Sequence, residues 1–275
     1  RSLMAALPLS PQVFTILNGL IEERAGLHYR PDDLELLRDK ISWRAEQLGF
    51  ASLLDYYYFL RYDANGTAEL DSLVETVVVH ETYFFREPDQ LRALFHPLLA
   101  QRIEQQGGVR IWCAASATGE EAFTLAMILD EAGWLDRARI VASDVSERVI
   151  ARARRGEFNL RSLRALPAGV EGRWIRRDGD RVFVDRSLAQ AIEWRRVNLI
   201  DPAQVGALGR FDAVLARNVL IYFSDDTVRR VVQVLSEALV PGGLLLVGAS
   251  ESLLRYGTSL ECEEHGGAFF YRRNF

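Results

Sequence analysis

The stretch Val109-Arg-Ile-Trp-Cys-Ala-Ala-Ser-Ala-Thr-Gly-Glu-Glu121 decides the fold. Its first five residues form a short β-branched and aromatic run that reads as a strand, and the small residues after it lead into a helix over 119–132. A strand over 139–142 and a helix over 146–155 repeat the pattern, so the segment is a βαβα run. Further on the pattern predicts a strand over 211–216, a helix over 225–239, a stop at Pro241-Gly242-Gly243, a strand over 244–247 and a closing strand Phe269-Phe-Tyr-Arg272. The fold class that follows is α/β, with a doubly wound, mostly parallel sheet. Between residues 156 and 192 the alternation fails. There Arg181-Val-Phe-Val-Asp185, after the turn Asp178-Gly179-Asp180, reads as an exposed hairpin strand in a small β insertion.

Working outward, the first eighty residues are helical. Ser10-Pro11 is a cap followed by a proline at the first helical position, Val13, Phe14, Ile16, Leu17 and Ile21 make an apolar stripe, and Gly26 ends it. Helices over 33–48, 52–62 and 67–79 follow. The expected organisation is an N-terminal helical domain over 1–80 and an α/β domain over 81–275, with the β insertion at 156–192. A chain of 275 residues with 49% hydrophobic and 26% charged residues is an ordinary globular composition, which excludes disorder, collagen and coiled coil. Cys113 and Cys262 fit neither a disulfide framework nor a metal-ligand spacing, so a metal-free site in a reducing, cytoplasmic compartment is expected. No run of 18 apolar residues occurs, and Arg1 to Ser10 is too short for a signal peptide, so no membrane insertion is expected. The chain opens on Arg1, which leaves further sequence at either end open. The net charge of −5 hides an asymmetry: residues 148–196 hold 13 Arg against 6 acids, a local +7. Such a zone is either a solvated face or a surface for nucleic acid, a phosphate or an acidic protein. Without aromatic interleaving, nucleic acid is the weaker of these functional options.

Ligands of open α/β sheets sit at the carboxyl ends of the strands, which directs attention to the loop after the first strand. Small side chains at Ala115, Ala117 and Gly119 let a ligand approach the backbone, yet alanine stands where a pyrophosphate fingerprint wants two of its glycines. A dinucleotide is therefore disfavoured. Glu120 and Glu121 at a helix start are partly explained by the macrodipole; equally, they repel a triphosphate and suit a ligand with a cationic amine. Asp144, at the end of the second strand, is either the next helix's N-cap or an acceptor for both hydroxyls of a ribose. Together these features point to a nucleoside ligand without a large phosphate load, and S-adenosylmethionine fits that description.

The chain also resembles the CheR chemoreceptor glutamate methyltransferases over nearly its whole length. The motifs that carry the resemblance are His80-Glu-Thr-Tyr-Phe-Phe-Arg-Glu-Pro88, the loop from Trp112 to Met127, Ala142-Ser-Asp-Val145 with Ala151-Arg-Ala-Arg-Arg-Gly156, and Asn198-Leu199. Arg217-Asn-Val-Leu-Ile-Tyr-Phe223, with Pro241-Gly-Gly243 and Gly248-Ala-Ser-Glu251, is the most specific match. Carried over position by position, the resemblance implies that His80, Thr82, Arg86 and Ala115 line the cofactor site and that Glu121 neighbours the cofactor's amino-acid moiety. It likewise implies Asp144 on the ribose, Asn198 and Leu199 at the adenine, and Arg217 with Asn218 in the pocket wall. His80 departs from the family, which has asparagine there, and adds a group that titrates near neutral pH. The implied reaction moves a methyl group from S-adenosylmethionine to glutamates on the cytoplasmic methylation helices of a chemoreceptor. Arg86 and Tyr222 are the candidates for steering the incoming carboxylate. Some relatives hold a receptor's C-terminal pentapeptide on a longer hairpin in the insertion; the short Asp178-Gly179-Asp180 turn predicts a chain without that tether.

Plainer readings stand beside these. Arg86 is otherwise a salt-bridging loop residue, Tyr222 and Phe223 core aromatics, Asn198 the start of a turn before Asp201-Pro202, and Cys113 and Cys262 small buried hydrophobes. Trp112 and Trp194 read as packing residues, and His28, His96 and His265 have no ligand spacing. Two alternatives of other classes remain: a catalytically silent effector-binding module on the same fold, with His80 its only support, and an NAD-dependent oxidoreductase, which would want glycines at 115 and 117.

Overall fold

A computed structural model describes residues 6–274 and separates the chain into two compact units. Residues 1–5, half of the leading stretch discussed above, lie outside the described residues.

The first unit comprises the residues up to Val79 together with Tyr222–Thr227. It contains α1 (Pro11–Ala25), α2 (Leu34–Gln47), α3 (Leu53–Tyr62) and α4 (Gly66–Val77). Local chemistry sets the ends: the hydroxyls of Ser10 and Ser52 accept from Val13 N–H and Asp55 N–H, and Gly26 closes α1 in a left-handed conformation at φ 76°. The stripe read from α1 is buried through Phe14, Leu17 and Ile21, which pack with Leu37, Ile41, Tyr56, Leu73 and Val77. Glu69 sits in this core because Arg44 meets it bidentately, at 2.7 Å on each oxygen, and the Tyr56 hydroxyl donates to it.

The second unit, His80–Ile221 and Val228–Phe275, carries the sheet. Helices α5 (Pro88–Ala93) and α6 (Ala100–Gln106) lead into β1 (Val109–Cys113), α7 (Glu120–Glu131), β2 (Ala138–Asp144) and α8 (Glu147–Arg155). The insertion holds β3 (Glu157–Asn159), β4 (Ile175–Asp178) and β5 (Arg181–Val184), and α9 (Arg186–Gln190) follows it. Then come β6 (Ile192–Arg196), α10 (Pro202–Ala207), β7 (Phe211–Ala216), α11 (Asp225–Glu237), β8 (Leu239–Val247), β9 (Glu261–His265) and β10 (Ala268–Arg272), α11 crossing from one unit to the other. The seven-stranded sheet runs β6-β2-β1-β7-β8-β10-β9, and the insertion forms its own sheet in the order β3-β5-β4. Within the large sheet β6, β2, β1, β7 and β8 are parallel, and β10 is antiparallel to both of its neighbours. This is the doubly wound, mostly parallel architecture expected above. Its core gathers Ile111, Ile140, Leu215 and Leu246 from the strands with Phe123, Ala126 and Met127 from α7. No helix among the described residues is long and apolar enough to cross a membrane.

The structure corrects several expectations. Pro241-Gly242-Gly243 is not a stop before a strand: β8 starts at Leu239 and runs through it, and the pairing with β7 slips between Phe211 and Ala213. The slip leaves a bulge where proline, which lacks an N–H, and Gly242 at φ 72° fit. Strands β6 and β9 of the large sheet and β3 of the insertion were not foreseen. Phe223 is half-buried and outside the core, bridging Leu27 through its backbone, and Cys262 is half-buried as well. Cys113 is buried, which pushes its thiol well above the ordinary value.

Candidate functional site

Strand β1 lies between β2 and β7, so the winding of the sheet reverses at its carboxyl end. The chain leaves β1 through residues 114–119, held by Ala114 N–H on Leu215 O at 2.8 Å and Ser116 N–H on Ser143 O at 2.8 Å. Ala115 and Ala117 stand at φ 53° and 48°, where an L side chain crowds the backbone. Gly119, at φ 96°, closes the loop; a Cβ there would meet Trp194 Cη2 at 2.7 Å, so only glycine starts α7 at this place. The positive-φ residues other than glycine are Phe85, Glu87, Ala115, Ala117 and Asn218, among the described residues. All five lie on three segments, 80–88, 114–119 and 217–219, and strain of this kind concentrates where function needs a set backbone.

Asp144 ends β2 with 5% of its surface exposed. Its Oδ2 accepts from Ala117 N–H and its Oδ1 from Ser146 N–H, each at 3.0 Å, and His80 Nε2 lies 3.8 Å from Oδ1. The cap of α8 is Ser146, whose hydroxyl accepts from Val149 N–H, so Asp144 is not the N-cap. The Ser116 hydroxyl, in the loop itself, is buried without a hydrogen-bond partner.

Arg217, at the end of β7, ties the first and third of these segments to the first turn of α7. Its side chain is 1% exposed, and Nη1 donates to Glu121 Oε2 at 2.9 Å. Nη2 donates to Glu87 Oε2 at 3.0 Å and Arg86 O at 2.7 Å, and Nε to Gln90 Oε1 at 3.1 Å. Burial pushes the Glu121 carboxyl up, while the charges of Arg217 and Arg86 pull it back. Asn218, next in the chain, stands at φ 57° and donates its N–H to Glu251 Oε2 at 2.7 Å. Glu251 also accepts from Gly248 N–H at 2.8 Å and Ile221 N–H at 3.2 Å, which fastens the end of β8 to the loop after β7. Burial raises the Glu251 carboxyl, and these backbone donors oppose the shift.

The remaining residues of the expected set are placed less closely. Thr82 is half-buried on the 80–88 segment. Arg86 is not the ion-paired loop residue of the plainer reading: it donates to Glu81 O at 3.3 Å and lies 5.7 Å from the Tyr83 ring, with no ion pair among the described residues. After β6, Asn198 does start a turn, accepting from Ile200 N–H on its side chain and from Asp201 N–H on its carbonyl, while Leu199 is buried. Tyr222 belongs to the first unit, where its carbonyl accepts from His28 N–H at 2.8 Å, whereas Arg86 belongs to the second. Sequence reasoning assigned no role to Glu87 or Glu251, although both stand in motifs quoted above. It also grouped Glu120 with Glu121 as ligand-facing, but Glu120 is turned inward and 2% exposed.

Residues 80–266 match the family described as "CheR methyltransferase, SAM binding domain". The chain belongs to the CheR methyltransferase family. The match starts at the first residue of the second unit and takes in all three strained segments. Chemotaxis protein methyltransferase 2 of Vibrio cholerae is 32% identical over 241 residues, 85% of this chain and 83% of that protein. The chemotaxis protein methyltransferase of Klebsiella aerogenes is 32% identical over 90% of this chain and 85% of its own length, and chemotaxis protein methyltransferase 1 of Pseudomonas aeruginosa 30% identical over 87% and 90%. The sheet is thus that of a class I methyltransferase, and the cofactor is S-adenosylmethionine. The buried, unpartnered Ser116 hydroxyl and alanine in place of glycine at 115 and 117 suit a ligand with ribose hydroxyls and a cationic amino-acid end rather than a pyrophosphate. The oxidoreductase and silent-module alternatives gain nothing from these findings.

Proposed function

We propose that this chain esterifies glutamate side chains on the cytoplasmic helices of a chemoreceptor. The observation that carries the reading is the match to chemotaxis protein methyltransferases over most of both chains. Bound S-adenosylmethionine supplies an electrophilic methyl group on its sulfonium. The protein's own work is then to bind, align and exclude water. A glutamate with an ordinary pKa of about 4.3 is ionised at neutral pH, so no general base is required of the chain. Asp144 accepts ribose hydroxyls, Glu121 stands by the cationic amino-acid end, Asn198 and Leu199 flank the adenine, and His80, Thr82, Ala115, Arg217 and Asn218 complete the wall. Arg86, which has no ion pair among the described residues, attracts the incoming glutamate by its charge. Alignment of this kind is worth up to about 7–11 kcal/mol in the best intramolecular reactions. Incubation with methyl-labelled cofactor and receptor-bearing membranes should yield base-labile volatile label. Label that survives base would indicate N-methylation instead and defeat the reading.

The +7 segment supports an acidic partner less strongly than its composition did. Arg154, Arg164, Arg173, Arg177, Arg181 and Arg195 each lie within 3.7 Å of a glutamate carboxylate. Exposed pairs of this type add little stability, and they mute the local field. Arg176 instead lies over the Phe183 ring at 4.8 Å. Reversing Arg176 and Arg177 to glutamate should raise the receptor KM at low salt and leave affinity for S-adenosylhomocysteine unchanged. An unchanged KM would assign the segment to a solvated face.

The insertion's hairpin turns through Gly179 and Asp180 alone, with Gly179 at φ 58°. We infer a tether-independent enzyme. A receptor-tail pentapeptide titrated into the protein should give no heat, and micromolar binding would show that strand addition along this small sheet does not need the longer turn.

A further inference from the structure

Glu120 has an arrangement that neither the helix dipole nor a ligand-facing role explains. It opens α7 from inside the fold: Thr118 Oγ1 donates to its Oε2 at 2.5 Å and Ser162 Oγ to its Oε1 at 2.8 Å. Thr118 belongs to the cofactor loop, and Ser162 is buried in the turn after β3, Leu160–Leu163. The Ser162 carbonyl in turn accepts from Phe84 N–H at 3.0 Å. A second path leads to the same place, since Thr124 Oγ1 donates to Glu120 O at 2.7 Å and accepts from Phe85 N–H at 2.9 Å. The rings around these bonds interlock: Phe158 of β3 lies edge-on to Phe84 at 4.9 Å and to Phe123 of α7 at 5.7 Å. Phe84 and Phe85 immediately precede Arg86, and Phe85 stands at φ 58°. One buried carboxylate therefore ties three things together: the cofactor loop, the insertion and the segment that carries Arg86.

We propose that Glu120 is a positioning residue that sets the Thr82-to-Glu87 segment against the cofactor loop through Thr118 on one side and Ser162 on the other. The proposal rests on the glutamate-methylation reading for its catalytic consequence. Burial of the carboxyl is opposed by the two hydroxyl donors, in keeping with an acceptor that uses both oxygens. The two arms of the network should therefore separate by mutation. Removing the Ser162 hydroxyl loosens the Arg86 segment and leaves the loop held; removing the Thr118 hydroxyl does the reverse.

The test compares Glu120→Gln, Ser162→Ala and Thr118→Ala, with S-adenosylhomocysteine affinity by calorimetry, receptor KM, and hydrogen exchange at the Phe84 and Phe85 amides. Ser162→Ala should raise receptor KM at least fivefold with S-adenosylhomocysteine affinity within twofold of the parent, and Thr118→Ala should do the opposite. Glu120→Gln should weaken both at least tenfold and speed exchange at Phe84 and Phe85 while leaving Leu125, in the middle of α7, protected. Adding Ser162→Ala to Glu120→Gln should change receptor KM no further, because the two act as one unit. Parameters within twofold in Glu120→Gln, or exchange accelerated equally at Leu125, would overturn the proposal. If the parent protein methylates no receptor, the functional reading falls while exchange and S-adenosylhomocysteine affinity still decide the role of Glu120.

Discussion

Arg217→Ala should destabilise the second unit by about 3–5 kcal/mol, the range measured when one partner of a buried ion pair is removed. The guanidinium is 1% exposed and donates to Glu121, Glu87, Gln90 and the Arg86 carbonyl, so truncation strands two carboxylates and two further acceptors together. Lysine would not rescue it, because one ammonium cannot reproduce the planar fork. The loss should also depend on pH. Burial already holds the Glu121 carboxyl above its ordinary value, and without Arg217 it would rise further. A carboxyl whose pKa is higher in the folded than in the unfolded protein makes the native state bind the extra proton, so its penalty is absent below the unfolded value and grows as pH rises toward the folded one. Chemical denaturation should accordingly show a smaller difference between parent and Arg217→Ala at pH 5 than at pH 8. A uniform difference of under 1 kcal/mol would mean that the carboxylates find other donors.

Asp144→Ala should weaken S-adenosylhomocysteine binding at least tenfold. Both carboxylate oxygens already accept backbone amides, one of them from Ala117 at a strained φ, so the substitution releases the loop as well as the ribose acceptor. Leaving a buried donor unsatisfied costs about 1–3 kcal/mol, and a ribose presents two such donors. Calorimetry at a temperature well below the variant's melting transition separates binding from unfolding. A change of less than threefold would remove Asp144 from the ribose and leave it as a loop anchor.

Local rules made much of this chain readable. Ser10 caps α1 because a hydroxyl beside the first free amides, followed by proline at the first helical position, is a near-neighbour arrangement that sequence alone specifies. The βαβα alternation placed the loop at 114–119 and put Asp144 at a strand end, since hydrophobic period and chain reversal are also short-range properties. The strands of the large sheet that escaped notice, β6 and β9, are its two edges. Edge strands carry charge to prevent unwanted pairing, and Glu193, Arg195 and Arg196 or Glu261, Glu263 and Glu264 dilute the alternation that marks a strand. The bulge at Pro241-Gly242-Gly243 was hidden for a related reason, because the same residues that end helices also relieve a slipped ladder.

Only the tertiary structure could divide the acidic residues by role. Glu120 and Glu121 are adjacent in sequence, yet one faces Ser162, 42 residues away, and the other Arg217, 96 residues away. Glu87 meets that same arginine across 130 residues, and Glu251 holds Asn218 across 33. Helix periodicity turns neighbouring side chains about 100° apart but does not say which neighbour each will find. The sequence by itself determined the winding of the sheet and the kinds of group at its carboxyl ends, because backbone hydrogen bonding and apolar period are local. Which carboxylate meets which partner was left to packing, because a buried charge is tolerated only where distant segments deliver its donors.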